Sequence, residues 1–157
     1  MTREYPQHPR VGVGAIVWHG DHVLLVRRAN PPRAGQWSLP GGGQELGETV
    51  AQAAVREVKE EAGIDVAVTD VVTVVDLIEH DPDGRVRFHY VLVDVNAEWV
   101  AGEPMAATDA SEVCWASVDQ LEVLEVWSET RRVIKMAADR RTFSDGSGSR
   151  SYDYRRI

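Results

Sequence analysis

Glu57, Glu60 and Glu61 lie close together in GETVAQAAVREVKEEAG, residues 47–63, where their carboxylates could act jointly. On a helix advancing 100° per residue they fall within one arc of about 100°, side by side and one turn apart. Like charges at that spacing oppose the helix by roughly 0.2–0.5 kcal/mol a pair. Their crowding also raises the pKa of at least one member. A divalent cation relieves both problems. Mg²⁺, with Mn²⁺ as a substitute, seeks hard carboxylate oxygens and keeps part of its water shell. Arg56 can reach Glu60 at i, i+4 and brace its rotamer. Glu48 precedes the helix, so the loop can aim it independently.

These groups need a helix and a frame. Thr49 with Gln52 three residues on is a capping-box pattern, which predicts a helix from about Val50. Gly63 fits the left-handed position that ends one. Ala51, Val55, Val58 and Ala62 share a narrow stripe, the expected buried face. Upstream, residues 11–18 (VGVGAIVW) and 22–28 (HVLLVRR) read as strands joined by a turn at His19-Gly20-Asp21. Residues 29–43 read as loop, apart from a short extended piece at Trp37-Ser38-Leu39. Strand signal returns at 66–78, at 85–95 after the turn 81–84, and at 112–116. Ser117 with Gln120 suggests another cap, leading to helical sequence that runs, with a break, to about Arg140. Residues 1–10 form a polar arm and 11–140 a single domain, while the Gly/Ser-rich residues 141–157 are expected to be a flexible tail.

The chain has 157 residues, 43% of them hydrophobic, with 17 Lys+Arg against 25 Asp+Glu, a formal net charge of −8. That balance suits a soluble globular domain and disfavours broad binding to nucleic acid or an anionic membrane. A polyanionic ligand would need cations brought to it. The single cysteine, Cys114, can form no intramolecular disulfide. The first residues lack the apolar core of a signal peptide, so the expected compartment is the cytoplasm.

The spacing narrows the reading further. Gly42, five residues, Glu48, seven residues, then REVKEEAGI at 56–64 fits the Nudix box at every defined position. A chance match is on the order of 10⁻⁹ per window. The sequence therefore resembles the Nudix hydrolases. The resemblance implies an α/β Nudix fold: an α/β/α sandwich with a mixed β-sheet between helices. It also implies metal-dependent hydrolysis of a nucleoside diphosphate linked to another moiety. By the same analogy Glu57, Glu60 and Glu61 are metal ligands, and Glu48 is a further carboxylate of the site. Arg56 would orient a ligand glutamate, and the backbone at Gly42 would line the site. Many relatives carry the general base on a late loop. The corresponding stretch here is 102–111, with Asp109 the first candidate, Glu112 the second and Glu103 behind them; Glu57 is the candidate inside the box.

Relatives often keep an arginine on phosphate near Arg27. Trp37, in the loop feeding the box, has the best claim to stack on a base, whereas Trp115 and Trp127 are expected in the core. Arg85, Arg87 and His89 share one strand face, expected to be solvated, opposite Val86, Phe88 and Tyr90. LLVRRANPPRAGQWSLPGG and the later residues 89–121 are similar, more loosely, to the ADP-ribose pyrophosphatase branch. That points to ADP-ribose or a related nucleotide sugar. The alternatives are a nucleoside triphosphate pyrophosphohydrolase of the 8-oxo-purine sanitising type and a non-catalytic ADP-ribose sensor. Homodimers are common among such proteins, and a homodimer is a candidate state here.

Overall fold

The first long strand, β1 (Arg10–His19), is apolar on both faces, and the fold explains why. Val13, Ala15 and Val17 pack with Ala53, Ala54, Val58 and Ala62 of helix α1 (Val50–Ala62). Ile16 and Trp18 pack with Val133, Ile134 and Ala137 of helix α2 (Ser128–Ser144). Side chains alternate across a strand, so one continuous apolar run serves two helices. The result is the α/β/α sandwich with a mixed sheet that the resemblance implied. The structure, a computed structural model, describes residues 3–30 and 33–144.

The remaining strands are β2 (His22–Arg28), β3 (Trp37–Ser38), β4 (Gly41–Gly43), β5 (Asp65–His80), β6 (Val86–Ala101) and β7 (Ala110–Ser117). The sheet runs β3-β2-β1-β6-β5, with β4 also on β1 and β7 on β2. β1 divides its free edge. Gly12, Val13 and Gly14 pair antiparallel with Gly43, Gly42 and Gly41, whereas Trp18 and His19 pair with β2. Its other edge pairs in parallel with β6, from Arg10↔Tyr90 to Trp18↔Glu98. The sheet therefore opens between β4 and β2, and Pro40 bridges the opening by accepting a hydrogen bond from the Ala15 N–H at 2.9 Å.

The predicted start and end of α1 are both present. Thr49 Oγ1 accepts from Gln52 N at 3.1 Å, and Gln52 Oε1 accepts from Thr49 N at 2.8 Å. Gly63 closes the helix at φ +73°, a conformation that side chains with a Cβ resist. The buried stripe differs from the expectation. Val55 is exposed, while Ala53, Ala54, Val58, Glu61 and Ala62 are buried. The helix is rotated so that a carboxylate, and not the Val55 side chain, turns inward.

Four further differences concern boundaries. Gly41–Gly43, read as loop, is a strand. β6 continues beyond residue 95 to Ala101. Gln120 accepts from the Ser117 N–H at 2.9 Å but caps a single 3₁₀ turn, and α2 begins only at Ser128. That helix runs on to Ser144, into the segment read as tail, and Arg141 bonds Glu98 and the Gly20 carbonyl. The rest of the expected tail, 145–157, lies outside the described residues. No helix among the described residues is long and apolar enough to cross a membrane.

Candidate active site

Five glycines make the floor. Gly12 and Gly14 of β1 lie beside Gly41, Gly42 and Gly43 of β4, so two adjacent strands present backbone in place of side chains. A Cβ at Gly42 would overlap the Glu57 carboxylate, and one at Gly41 would overlap the Val13 carbonyl. The glycines are therefore what lets α1 bring its acids onto the sheet. The Gly41 N–H donates to Glu61 Oε2 at 3.1 Å.

Arg56 holds the acids. Its Nε and Nη2 donate to the two oxygens of Glu48 at 3.0 and 2.6 Å, and its Nη1 donates to Glu57 at 2.8 Å and Glu60 at 3.4 Å. Nη2 also reaches the Gly43 carbonyl at 3.0 Å. The expected brace to Glu60 is thus the longest of these contacts. The main load falls on Glu48 and Glu57. Arg56 hydrogen bonds hold the Glu48 carboxyl below its ordinary range, and those carboxylates hold the guanidinium firmly charged.

The inward acids are short of positive charge. Burial pushes the Glu57 carboxyl up, with Arg56 opposing the shift. Burial pushes Glu61 further, to about 7; the Gly41 N–H opposes this, and the charges of Glu57 and Asp109 add to it. Among the described residues no three His, Cys, Asp or Glu side chains converge as a formed metal cage. The buried Glu61 and the part-buried Glu57, both lining the cavity over bare backbone, nevertheless fit a hard divalent cation. Such an ion supplies the charge that these side chains lack.

The loop after β6 is stitched to the end of α1. Ala107 N donates to the Glu61 carbonyl at 3.0 Å and Met105 N to the Ala62 carbonyl at 2.9 Å, satisfying carbonyls that the helix end leaves open. That anchoring brings Asp109 to the cavity, where it accepts from Asn30 Nδ2 at 2.8 Å. Glu112 is placed differently: it accepts from Arg27 Nη1 at 3.0 Å, and neither side chain lines the cavity. Alternation along β2 turns Arg27 away and its neighbour Arg28 inward, so Arg28 lines the cavity, as do Arg3, Arg10 and Arg33. Glu103 also lies off the cavity lining.

The cavity has a volume of about 680 Å³ and runs from Glu57 and Glu61 across the glycine floor to Asp94. Trp37 lines it, as expected. Trp127 does too, under the Arg33 guanidinium at 3.7 Å, whereas Trp115 packs edge-on against His19 away from it. Arg85 and Arg87 bond Asp81 and Glu4, while Phe88 and Tyr90 face the cavity. Sequence reasoning missed Arg28 and Asp94. Extending the apolar alternation of Phe88 and Tyr90 by two steps would have reached Leu92 and then Asp94.

A family model for the NUDIX domain matches residues 8–137. The chain is 38% identical over 117 residues to an ADP-ribose pyrophosphatase of Methanocaldococcus jannaschii, an overlap of 74% of this chain and 67% of that protein. It is also 38% identical over 115 residues to a Mycobacterium tuberculosis protein provisionally named 8-oxo-dGTP diphosphatase 2, covering 71% of this chain and 74% of the relative. Among solved structures, a MutT NUDIX hydrolase from Burkholderia pseudomallei superposes with a TM-score of 0.72 at 32% identity, covering 83% of this chain and 98% of the other.

Proposed function

The chain belongs to the Nudix hydrolase family, and on that premise we propose that it hydrolyses the pyrophosphate linkage of ADP-ribose or a related nucleotide sugar. The observation that carries this reading is the pair of helix carboxylates, the buried Glu61 and the Arg56-braced Glu57, that line a cavity of nucleotide size. The relative named ADP-ribose pyrophosphatase supports the choice of substrate.

Divalent metals are general in this family, and Glu57 and Glu61 are the residues that would hold one, with Glu60 one turn away outside the cavity lining and held by Arg56. When bound, a divalent cation neutralises phosphate oxygens and acidifies water. The chain's own residues do the rest. Arg56 fixes Glu57 and Glu48, so the acids need not reorganise as the reaction proceeds. The absence of a side chain at Gly42 gives the Glu57 carboxylate its place on the sheet, and Arg28 lines the same cavity with a positive charge for a phosphate. Asp109, oriented by Asn30, takes the proton of the attacking water as general base. The water oxygen bonds to phosphorus as the bridging P–O bond breaks, which leaves a nucleoside monophosphate and a sugar phosphate. No covalent enzyme intermediate is involved.

A second reading has its own support. The relative provisionally named 8-oxo-dGTP diphosphatase is as similar as the first, which favours an oxidised purine triphosphate as the rival substrate. One assay separates them. Purified chain is incubated with ADP-ribose or with canonical and oxidised nucleoside triphosphates, in Mg²⁺, in Mn²⁺ or in chelator. The expected result is AMP and ribose 5-phosphate in equal amounts, with neither product in chelator. Pyrophosphate released from triphosphates, with ADP-ribose untouched, would transfer the protein to the rival branch.

A further inference from the structure

The cavity has a second end that hydrolysis does not explain. Asp94 lies in β6 opposite Gly14 of β1, and a Cβ at Gly14 would overlap its carboxylate. The side chain shares a strand face with Phe88, Tyr90 and Leu92, yet Asp94 is only 8% exposed. Among the described residues, nothing hydrogen-bonds to its carboxylate or forms an ion pair with it. Arg132, the nearest influence of opposite charge, donates to both oxygens of Glu129, and Glu129 adds like charge. Its oxygens are reached only through the cavity, and apolar residues elsewhere on this face show what would pack there instead.

The missing donor must then come from what enters the cavity. Phosphate oxygens are acceptors only, so the phosphates cannot supply it. The lining next to Asp94 is Leu92 on its own strand face and Val75 across from Leu92 on β5, with Tyr90, Leu77 and Trp127 further along the same cavity, apolar walls suited to a flat aromatic ring. We propose that Asp94 is the specificity residue for the nucleobase, its carboxylate accepting a hydrogen bond from the exocyclic amino group of a purine held between those walls. The proposal rests on the nucleotide hydrolase reading above.

Its test does not depend on turnover. Calorimetric titration of the full chain, without added cation, compares AMP and GMP with purine riboside 5′-monophosphate, which carries no amino group. The wild type is expected to bind one of the amino purines at least ~10-fold tighter than the amino-free nucleotide, the scale of one buried hydrogen bond. Asp94→Val should bring that ratio to within about twofold, whereas Asp94→Asn, which keeps an acceptor oxygen, should retain most of it. Asp94→Ala provides the same comparison should the branched side chain not fold.

Equal binding of all three nucleotides by the wild type overturns the proposal. So does an undiminished ratio in the valine or alanine variant, or an equal loss of affinity for every nucleotide, which marks a packing role. Amino-selective binding without hydrolysis of any substrate would instead sink the hydrolase reading and leave Asp94 as a base-reading residue.

Discussion

Glu61→Gln is expected to lower turnover by roughly 10³-fold, the scale lost when a charge-bearing group is removed from a reacting centre, while making the metal-free protein more stable above neutrality. The two effects have one origin. Glu61 is buried with a single hydrogen bond from Gly41, and its carboxyl is pushed up to about 7 from an ordinary 4.5. The folded protein therefore keeps a proton across that window that the unfolded chain has released. Stability accordingly falls as pH rises from about 4.5 to 7, and the full cost persists above it. The interval corresponds to about 3 kcal/mol. Glutamine carries no charge to bury, so the variant should melt several degrees above wild type at pH 8 in chelator, and level with it near pH 4. Steady-state rates in Mg²⁺ and melting curves at the two pH values check both halves. Glu60→Gln carries the same expectation for turnover, without the gain in stability, because that side chain is half exposed. Full activity in Glu61→Gln would remove it from the metal-ligand set.

Arg56→Met should damage both fold and rate. The guanidinium serves Glu48, Glu57, Glu60 and the Gly43 carbonyl together, and no other side chain bonds the Glu48 or Glu57 carboxylate among the described residues. Methionine keeps the length and removes the charge, leaving two largely buried carboxylates with no cation. Losing these bonds together should lower the urea midpoint. Glu57 would also lose the bond that fixes its rotamer, and a roughly 10²-fold fall in kcat/KM is expected. Arg56→Lys should recover only part of either loss, since a point charge cannot reproduce the fork on Glu48. Urea denaturation and initial rates decide the matter. A methionine variant as stable and as fast as wild type would show that the acids position themselves.

The parts of this site that were legible in the sequence are those governed by local chemistry. Thr49, Gln52 and Gly63 marked the ends of α1 because caps depend on residues within one turn, and the acids were readable from spacing alone. The rotation of α1 was not readable. Val55 and Glu61 exchange places relative to a simple apolar stripe because β4, distant in sequence, offers the Gly41 N–H to Glu61 and room above Gly42 for Glu57. Gly41–Gly43 looked like a loop for a related reason: nothing in a glycine run signals a strand until a partner such as Gly12–Gly14 is brought beside it. Arg27 and Arg28 could not be told apart without knowing which face of β2 the cavity occupies. Glu112 stands second to Asp109 among the candidate acids, and its pairing with Arg27 is visible only once β2 and β7 lie side by side.

The parallel pairing of β1 with β6 also dictates the order in which the chain can assemble. β5 and β6 meet through a turn of a few residues and can zip from there. To join β6, β1 must close a loop of about eighty residues, which costs roughly 2 kcal/mol more in chain entropy. The glycine floor hangs on β1 and Asp94 on β6, so the two ends of the cleft become one cavity only when that long loop closes. The hairpin is a local product of folding, and the cleft is a late one.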